Sequence, residues 1–212
     1  MTLPLWNRVT VVGCGLIGAS FALGLKKNAV CNLVAGWDCD PRVLDEALSL
    51  GIIDEKDSSF SSQVSPSRSE LFFLAMPVNG IISFFKDCGS QIPPGGVVTD
   101  AGSTKTNVCD VAQTYFPPGN SDRYFIAGHP VAGSHLSGLS HARADLFEGA
   151  PYVLIADDNE DSAPLRRVKE TINRLGARIH LMSAREHDRV MALLSHLPQR
   201  CRMHLAVQLL SD

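Results

Sequence analysis

Residues 9–18 read VTVVGCGLIG, and this stretch decides the fold. A β-branched run from Val9 to Val12 leads directly into Gly13-x-Gly15-x-x-Gly18, and apolar residues at Phe21, Leu23 and Leu25 continue the pattern as a helix. The order is strand, tight glycine turn, helix. In that order the first glycine permits the turn, the second lets a pyrophosphate approach the backbone, and the third lets helix and strand pack closely. The helix N-terminus adds N–H groups without helical partners and the positive end of the helix dipole. Gly13, Gly15, Leu16, Ile17 and Gly18 are therefore candidate cofactor-binding residues. A glycine-rich turn that holds no ligand is the alternative reading of the same spacing.

The next segment outward, NLVAGW at 32–37, reads as a second strand, and Asp38 stands at its C-terminal end. A carboxylate there accepts hydrogen bonds from the adenosine ribose hydroxyls. Asp40 adds a second negative charge, and the pair would repel a 2′-phosphate, which favours NAD over NADP. Arg42 is the opposing signal, because an arginine just past this strand can hold that phosphate. The alternative for Asp38 is an ordinary turn aspartate ahead of Pro41.

Composition narrows the class. Of 212 residues 45% are hydrophobic and 19% charged, which are ordinary globular values. The net charge of −3 and the lack of a basic cluster give no sign of a nucleic-acid partner or an anionic membrane surface. Six cysteines, at 14, 31, 39, 88, 109 and 201, show no CxxC pair and no metal-ligand spacing, so no metal is expected and a reduced, cytoplasmic setting is. The N-terminus MTLPLWNRVT lacks the charged and apolar regions of a secretory signal. The apolar run at 9–25 is too short and too interrupted by glycine to span a bilayer. The Ser-rich patch at 58–69 reads as a surface loop.

Strand-like runs at 9–12, 33–37, 71–76, 97–100, 124–127, 152–156 and 178–182 alternate with helical patterns at 16–28, 41–50, 79–89, 104–114, 162–175 and 184–210. Short apolar strands between helices predict an α/β fold: a doubly wound, mostly parallel sheet of the Rossmann dinucleotide-binding type over residues 1–183. Residues 184–212 read as a linking helix, kinked or divided at Pro198, that begins a second helical domain cut short. The alternative is a terminal helix packed on the same sheet or on a second subunit.

Ligands of such sheets bind beyond the strand C-termini. The segments GCGLIG, DCDP, MPVNG, DAGSTK and GHPVAGS all follow strand ends. By local rules Ser103 caps the helix that follows it, and at a central strand end its hydroxyl also has access to a nicotinamide or a substrate. Pro130 biases His129 towards an extended backbone. A histidine of near-neutral pKa can accept a hydroxyl proton while hydride leaves the same carbon. A structural histidine is the plainer reading. His196, beside Ser195 on the last helix, is either a second ligand-facing histidine or a helix histidine in the packing. His187-Asp188 reads as the approach to the last helix, with Asp188 supplying favourable helix-start charge.

Taken together, GCGLIGAS (13–20), GWDCDP (36–41), LAMPVNGI (74–81), TDAGSTK (99–105), GHPVAGSHLSG (128–138), LFEGAPYVL (146–154) and SHLPQ (195–199) resemble the prephenate/arogenate dehydrogenases of tyrosine biosynthesis. The resemblance covers almost the whole chain, in the family's order. It implies an enzyme that uses NAD to decarboxylate prephenate oxidatively to 4-hydroxyphenylpyruvate, or arogenate to tyrosine. It implies His129 as the catalytic histidine on the ring hydroxyl. Ser103 would contact that histidine, substrate and nicotinamide; His196 would be a second active-site histidine, and Asp38 the ribose-binding acid. Pro77, in LAMPVNGI, joins the expected cofactor-binding set with Ser103. It also implies a homodimer formed through a further helical domain, which supplies an arginine for the substrate carboxylate and which the sequence to Asp212 does not contain. Gln199 stands where many members carry another histidine. Two other functions fit parts of the pattern: a β-hydroxyacid-type dehydrogenase, which typically needs a lysine that the last helix lacks, and a non-catalytic dinucleotide-binding regulatory module.

Overall fold

The computed structural model describes residues 3–58, 68–117, 122–132, 138–157 and 160–193. In chain order its elements are β1 (Trp6–Val12), α1 (Leu16–Lys27), β2 (Cys31–Trp37), α2 (Pro41–Ser49), β3 (Glu55–Lys56), β4 (Leu71–Leu74), α3 (Val78–Cys88), β5 (Val97–Asp100), α4 (Thr106–Ala112), β6 (Tyr124–Ile126), β7 (Gly128–Pro130), β8 (Pro151–Ile155), α5 (Ala163–Arg174), β9 (Arg178–Met182) and α6 (Ala184–Met191).

Six strands form a parallel sheet in the order β3-β2-β1-β4-β5-β6. The chain winds outward from β1 in one direction and then from β4 in the other, so the reversal falls between β1 and β4. The crevice at that point, beyond the strand C-termini, is where such sheets take ligands. The continuous apolar run LFFL of β4 follows from burial on both faces. Leu71 and Phe73 join one core with Phe21, Leu25 and Tyr152; Phe72 and Leu74 join the other with Ile81, Phe85 and Val98. Phe21 stacks on Phe73 with ring centres 3.8 Å apart, which fixes α1 against the sheet. Among the described residues three helices start where side chains dictate: Asp40 accepts the Arg42 N–H ahead of α2, Ser162 that of Leu165 ahead of α5, and Ser183 that of Glu186 ahead of α6.

The structure corrects three expectations. Strands 152–156 and 178–182 do not extend the parallel sheet; as β8 and β9 they form a second, three-stranded sheet in the order β7-β8-β9. Its third member is the GHP segment, read from the sequence as loop. β7 pairs antiparallel with β8, His129 opposite Val153. Three residues bearing a glycine and a proline carry no strand periodicity, and only the distant partner makes them a strand. Further, α4 begins at Thr106, so Ser103 is not its N-cap. By contrast, α6 starts at Ala184 as expected and packs against α4 and β8. The rest of the 184–210 pattern, with His196, lies outside the described residues from position 194 on. Among the described residues no helix is long and apolar enough to cross a membrane.

Candidate active site

The three glycines of the opening motif differ in what they accommodate. Gly13 has φ +94°, and a Cβ there would lie 2.6 Å from the Ala75 carbonyl oxygen. A Cβ on Gly18 would lie 1.9 Å from the Gly13 carbonyl oxygen, so helix and turn require its absence. Gly15 is otherwise: its φ is −72°, and a Cβ would meet nothing within 4 Å. Neither backbone conformation nor internal packing demands glycine at 15. The bare backbone there faces open space at the N-cap of α1, with no side-chain cap on the helix. First-turn N–H groups have no carbonyl one turn earlier, so this end is suited to an anion. Leu16 and Ile17 open α1 and pack, partly buried, against the core.

A cleft of about 590 Å³ opens beside this turn, lined by Gly13, Gly15, Asp38, Cys39, Met76, Pro77 and Phe84 among others. Its walls are the C-terminal ends of β1, β2 and β4, the position expected of a reversal-point crevice. Asp38 accepts the Cys14 N–H at 2.8 Å on one carboxylate oxygen and the Asp40 N–H at 3.0 Å on the other. The second bond is the expected turn contact; the first ties the end of β2 to the glycine turn. A carboxylate accepts about four hydrogen bonds, so capacity remains for a ligand's hydroxyls. Asp40 and Arg42 pair with each other, Arg42 Nη2 lying 2.8 Å from Asp40 Oδ2. Asp40 is therefore engaged by its neighbour, while Asp38, with Asp87 on the α3 side, supplies negative charge to the cleft lining.

At the far strand ends a buried ion pair organises the second half of the site. Asp100 and Lys105 are both fully buried and hydrogen-bonded to each other. Buried charges persist when paired and further hydrogen-bonded, and these are. Asp100 accepts the Gly102 N–H at 2.9 Å and the Gly128 N–H at 3.0 Å; Lys105 Nζ donates to the Gly128 carbonyl at 2.7 Å. One carboxylate thus fixes the residue before Ser103 and the residue before His129. Gly128 must be glycine, because a Cβ would lie 2.9 Å from the Asp100 carbonyl oxygen.

His129 Nδ1 lies 2.8 Å from His187 Nε2, and His187 Nδ1 lies 2.8 Å from Asp188 Oδ1. Asp188 also accepts the Lys105 N–H at 2.7 Å and the Thr106 N–H at 2.9 Å. Burial works to raise the Asp188 carboxyl pKa, but the bonds from Thr106, His187 and Lys105 outweigh it and lower the value to about 2. Burial pushes the His187 imidazole below its ordinary value, against the opposing pull of Asp188.

The structure gathers Gly13, Gly15, Asp38 and Pro77 at one cleft, with Leu16, Ile17 and Gly18 in the adjoining helix start. His129 and the exposed Ser103 follow the ends of β6 and β5 on the same edge of the sheet. Sequence reading missed Asp100, Lys105 and His187, and it misplaced Asp188, which lies within α6 and caps α4 rather than its own helix. The available signals were slight: an aspartate ending the apolar strand VVTD, and a histidine one helical turn before Met191 on the buried face of α6.

Fold and site together define a nucleotide-binding domain of the doubly wound α/β class. Residues 21–181 match the prephenate dehydrogenase nucleotide-binding domain, and the chain belongs to that family. It is 36% identical over 194 residues to the prephenate dehydrogenase of Bacillus subtilis strain 168, covering 91% of this chain and 51% of that protein. It is similar to the crystal structure of A. aeolicus prephenate dehydrogenase in complex with hydroxyphenyl propionate and NAD+, with a TM-score of 0.87 and 29% identity over 97% of this chain and 70% of that one. It is also similar to Synechocystis arogenate dehydrogenase, with a TM-score of 0.78 and 30% identity over 90% of this chain and 65% of that one. The chain spans about half the length of the curated prephenate dehydrogenases it matches.

Proposed function

We propose that this chain is the nucleotide-binding and catalytic part of an enzyme that oxidatively decarboxylates prephenate or arogenate with NAD in tyrosine biosynthesis. The observation that carries the reading is His129, whose backbone neighbour is clamped by the buried Asp100–Lys105 pair and whose Nδ1 is bonded to His187. A non-catalytic nucleotide sensor has no use for a histidine held on both backbone and ring. Family membership favours this reading over a β-hydroxyacid dehydrogenase.

The residues present fit NAD. Gly15 leaves space for a pyrophosphate over the α1 N-terminus, Asp38 has acceptor capacity for ribose hydroxyls, and Arg42 is paired with Asp40 rather than presented alone to a 2′-phosphate. NAD bound there would supply the acceptor for the hydride of the ring carbinol carbon, and loss of the ring carboxylate as carbon dioxide would leave an aromatic ring. His129 accepts the hydroxyl proton on Nε2, since Nδ1 is engaged with His187, and returns it to the phenolate oxygen formed by decarboxylation. Ser103, on the neighbouring strand-end connection, bonds the same hydroxyl and helps to orient it. His196 is assigned as a second active-site histidine. Residues 184–212 begin the helical part through which a homodimer forms and which supplies an arginine for the substrate carboxylate. The free cysteines 14, 31, 39, 88 and 109 support a reducing, cytoplasmic location.

The experiment is product formation by the full-length protein from prephenate and from arogenate, with NAD and with NADP. Turnover of at least one substrate, faster with NAD, is expected. No turnover of either would overturn the assignment.

A further inference from the structure

We infer that α6 sets the tautomer of His129: through His187 and Asp188 it holds the His129 proton on Nδ1 and leaves the lone pair on Nε2, so that the base is formed before substrate arrives. The inference rests on His129 acting as the base, as proposed above, and it assigns His187 and Asp188 as positioning residues.

The chain of bonds takes its direction from the Asp188 end. An ionised carboxylate only accepts, so His187 Nδ1, 2.8 Å from Asp188 Oδ1, must carry hydrogen. A neutral imidazole has one donor and one acceptor nitrogen, so His187 Nε2 is then the acceptor. His187 is fully buried, which disfavours the charged form in which both nitrogens donate. His129 Nδ1, 2.8 Å from that acceptor, must therefore donate. A neutral His129 with hydrogen on Nδ1 has its lone pair on Nε2. Were Asp188 neutral, or His187 charged, the direction of the chain would reverse and hydrogen would sit on Nε2, where the substrate proton has to go.

The charged and titratable groups around His187 are consistent with this state. Asp188 lies on its own helix, Lys105 ahead of α4, Asp100 at the end of β5 and His129 on β7. Asp100 and Lys105 cancel one another as a buried pair, so Asp188 is the charge that decides the ring's orientation. Adjacent residues of α6 thus act on both loops of the site. His187 bonds the His129 ring, and Asp188 bonds the N–H groups of Lys105 and Thr106 just after Ser103.

The test is 15N NMR of the full-length protein labelled at histidine ring nitrogens, with His129 assigned by comparison with His129→Asn. In wild type Nδ1 of His129 should carry hydrogen and Nε2 should not. His187→Leu removes the acceptor and should release that preference, with kcat falling about 10²-fold and NAD affinity unchanged. In His187→Gln the amide oxygen takes the place of Nε2 as acceptor and should restore the tautomer and most of the rate, a rescue that a merely space-filling role does not predict. Asp188→Ala removes the acceptor that holds hydrogen on His187 Nδ1 and should release the preference for hydrogen on His129 Nδ1 and distort the acid limb of the pH–rate profile. Hydrogen on Nε2 in wild type, or an unchanged tautomer in Asp188→Ala, would overturn the inference. If the leucine variant does not fold, the wild-type and glutamine spectra still decide it. The stated tautomer with no turnover of either substrate would leave the clamp standing and remove the proposed reaction instead.

Discussion

Asp38 makes more than the expected turn bond. Besides the Asp40 N–H it accepts the Cys14 N–H within the glycine turn, so the end of β2 and the glycine motif share one anchor. Replacing Asp38 with alanine should weaken NAD binding by about 10- to 100-fold, since hydrogen bonds to a charged group contribute about 1.5–3 kcal/mol. It should also narrow the preference over NADP, because the negative charge facing a 2′-phosphate is gone. Calorimetric titration of both nucleotides checks this, and NADP binding more tightly than NAD in wild type would assign Arg42 as a phosphate ligand. Gly13, Gly15, Gly18 and Asp38 were legible in sequence because their constraints are local or tied to a fixed strand–turn–helix spacing. His187 was not, because the ring it bonds is 58 positions away.

At the scale of elements, α4 shows why a local capping rule failed. The rule selects Ser103 from its place before a helical pattern, yet the helix starts at Thr106, and its first N–H groups are bonded by a carboxylate from α6 more than 80 residues later in the chain. The cap gives a definite pH dependence. Asp188 falls from an ordinary 3.8 to about 2 in the folded protein, so its contribution is complete above the unfolded value and is lost as pH drops through the folded one. On the order of 2 kcal/mol should disappear across that window. His187, also lowered on folding, contributes in the same direction, with loss beginning as pH falls below its ordinary 6.5. Urea midpoints measured across the pH range should therefore fall in two steps. Asp188→Asn should abolish the lower step and His187→Gln should diminish the upper one. A wild-type midpoint independent of pH below 6.5 would contradict both assignments.

The whole molecule was legible in its first half and only partly so in its second. The parallel sheet follows from the alternation of apolar strands with helices, and each member but the two-residue β3 was visible as a run; the order β3-β2-β1-β4-β5-β6 comes from the structure. The second sheet was not visible, because β8 and β9 look alike as strands whether they extend a parallel sheet or start another. What separates them from the main sheet is β7, whose glycine and proline hide it and whose antiparallel register with β8 places His129. The site belongs to the assembly of both sheets with α6, and the proposed function has His129 doing the proton chemistry beside a separately formed nucleotide cleft. The most direct measurement is kcat together with NAD affinity for His129→Asn in the full-length protein. A fall in kcat of about 10²-fold or more with NAD affinity nearly unchanged is expected. A kcat within a few-fold of wild type would contradict it.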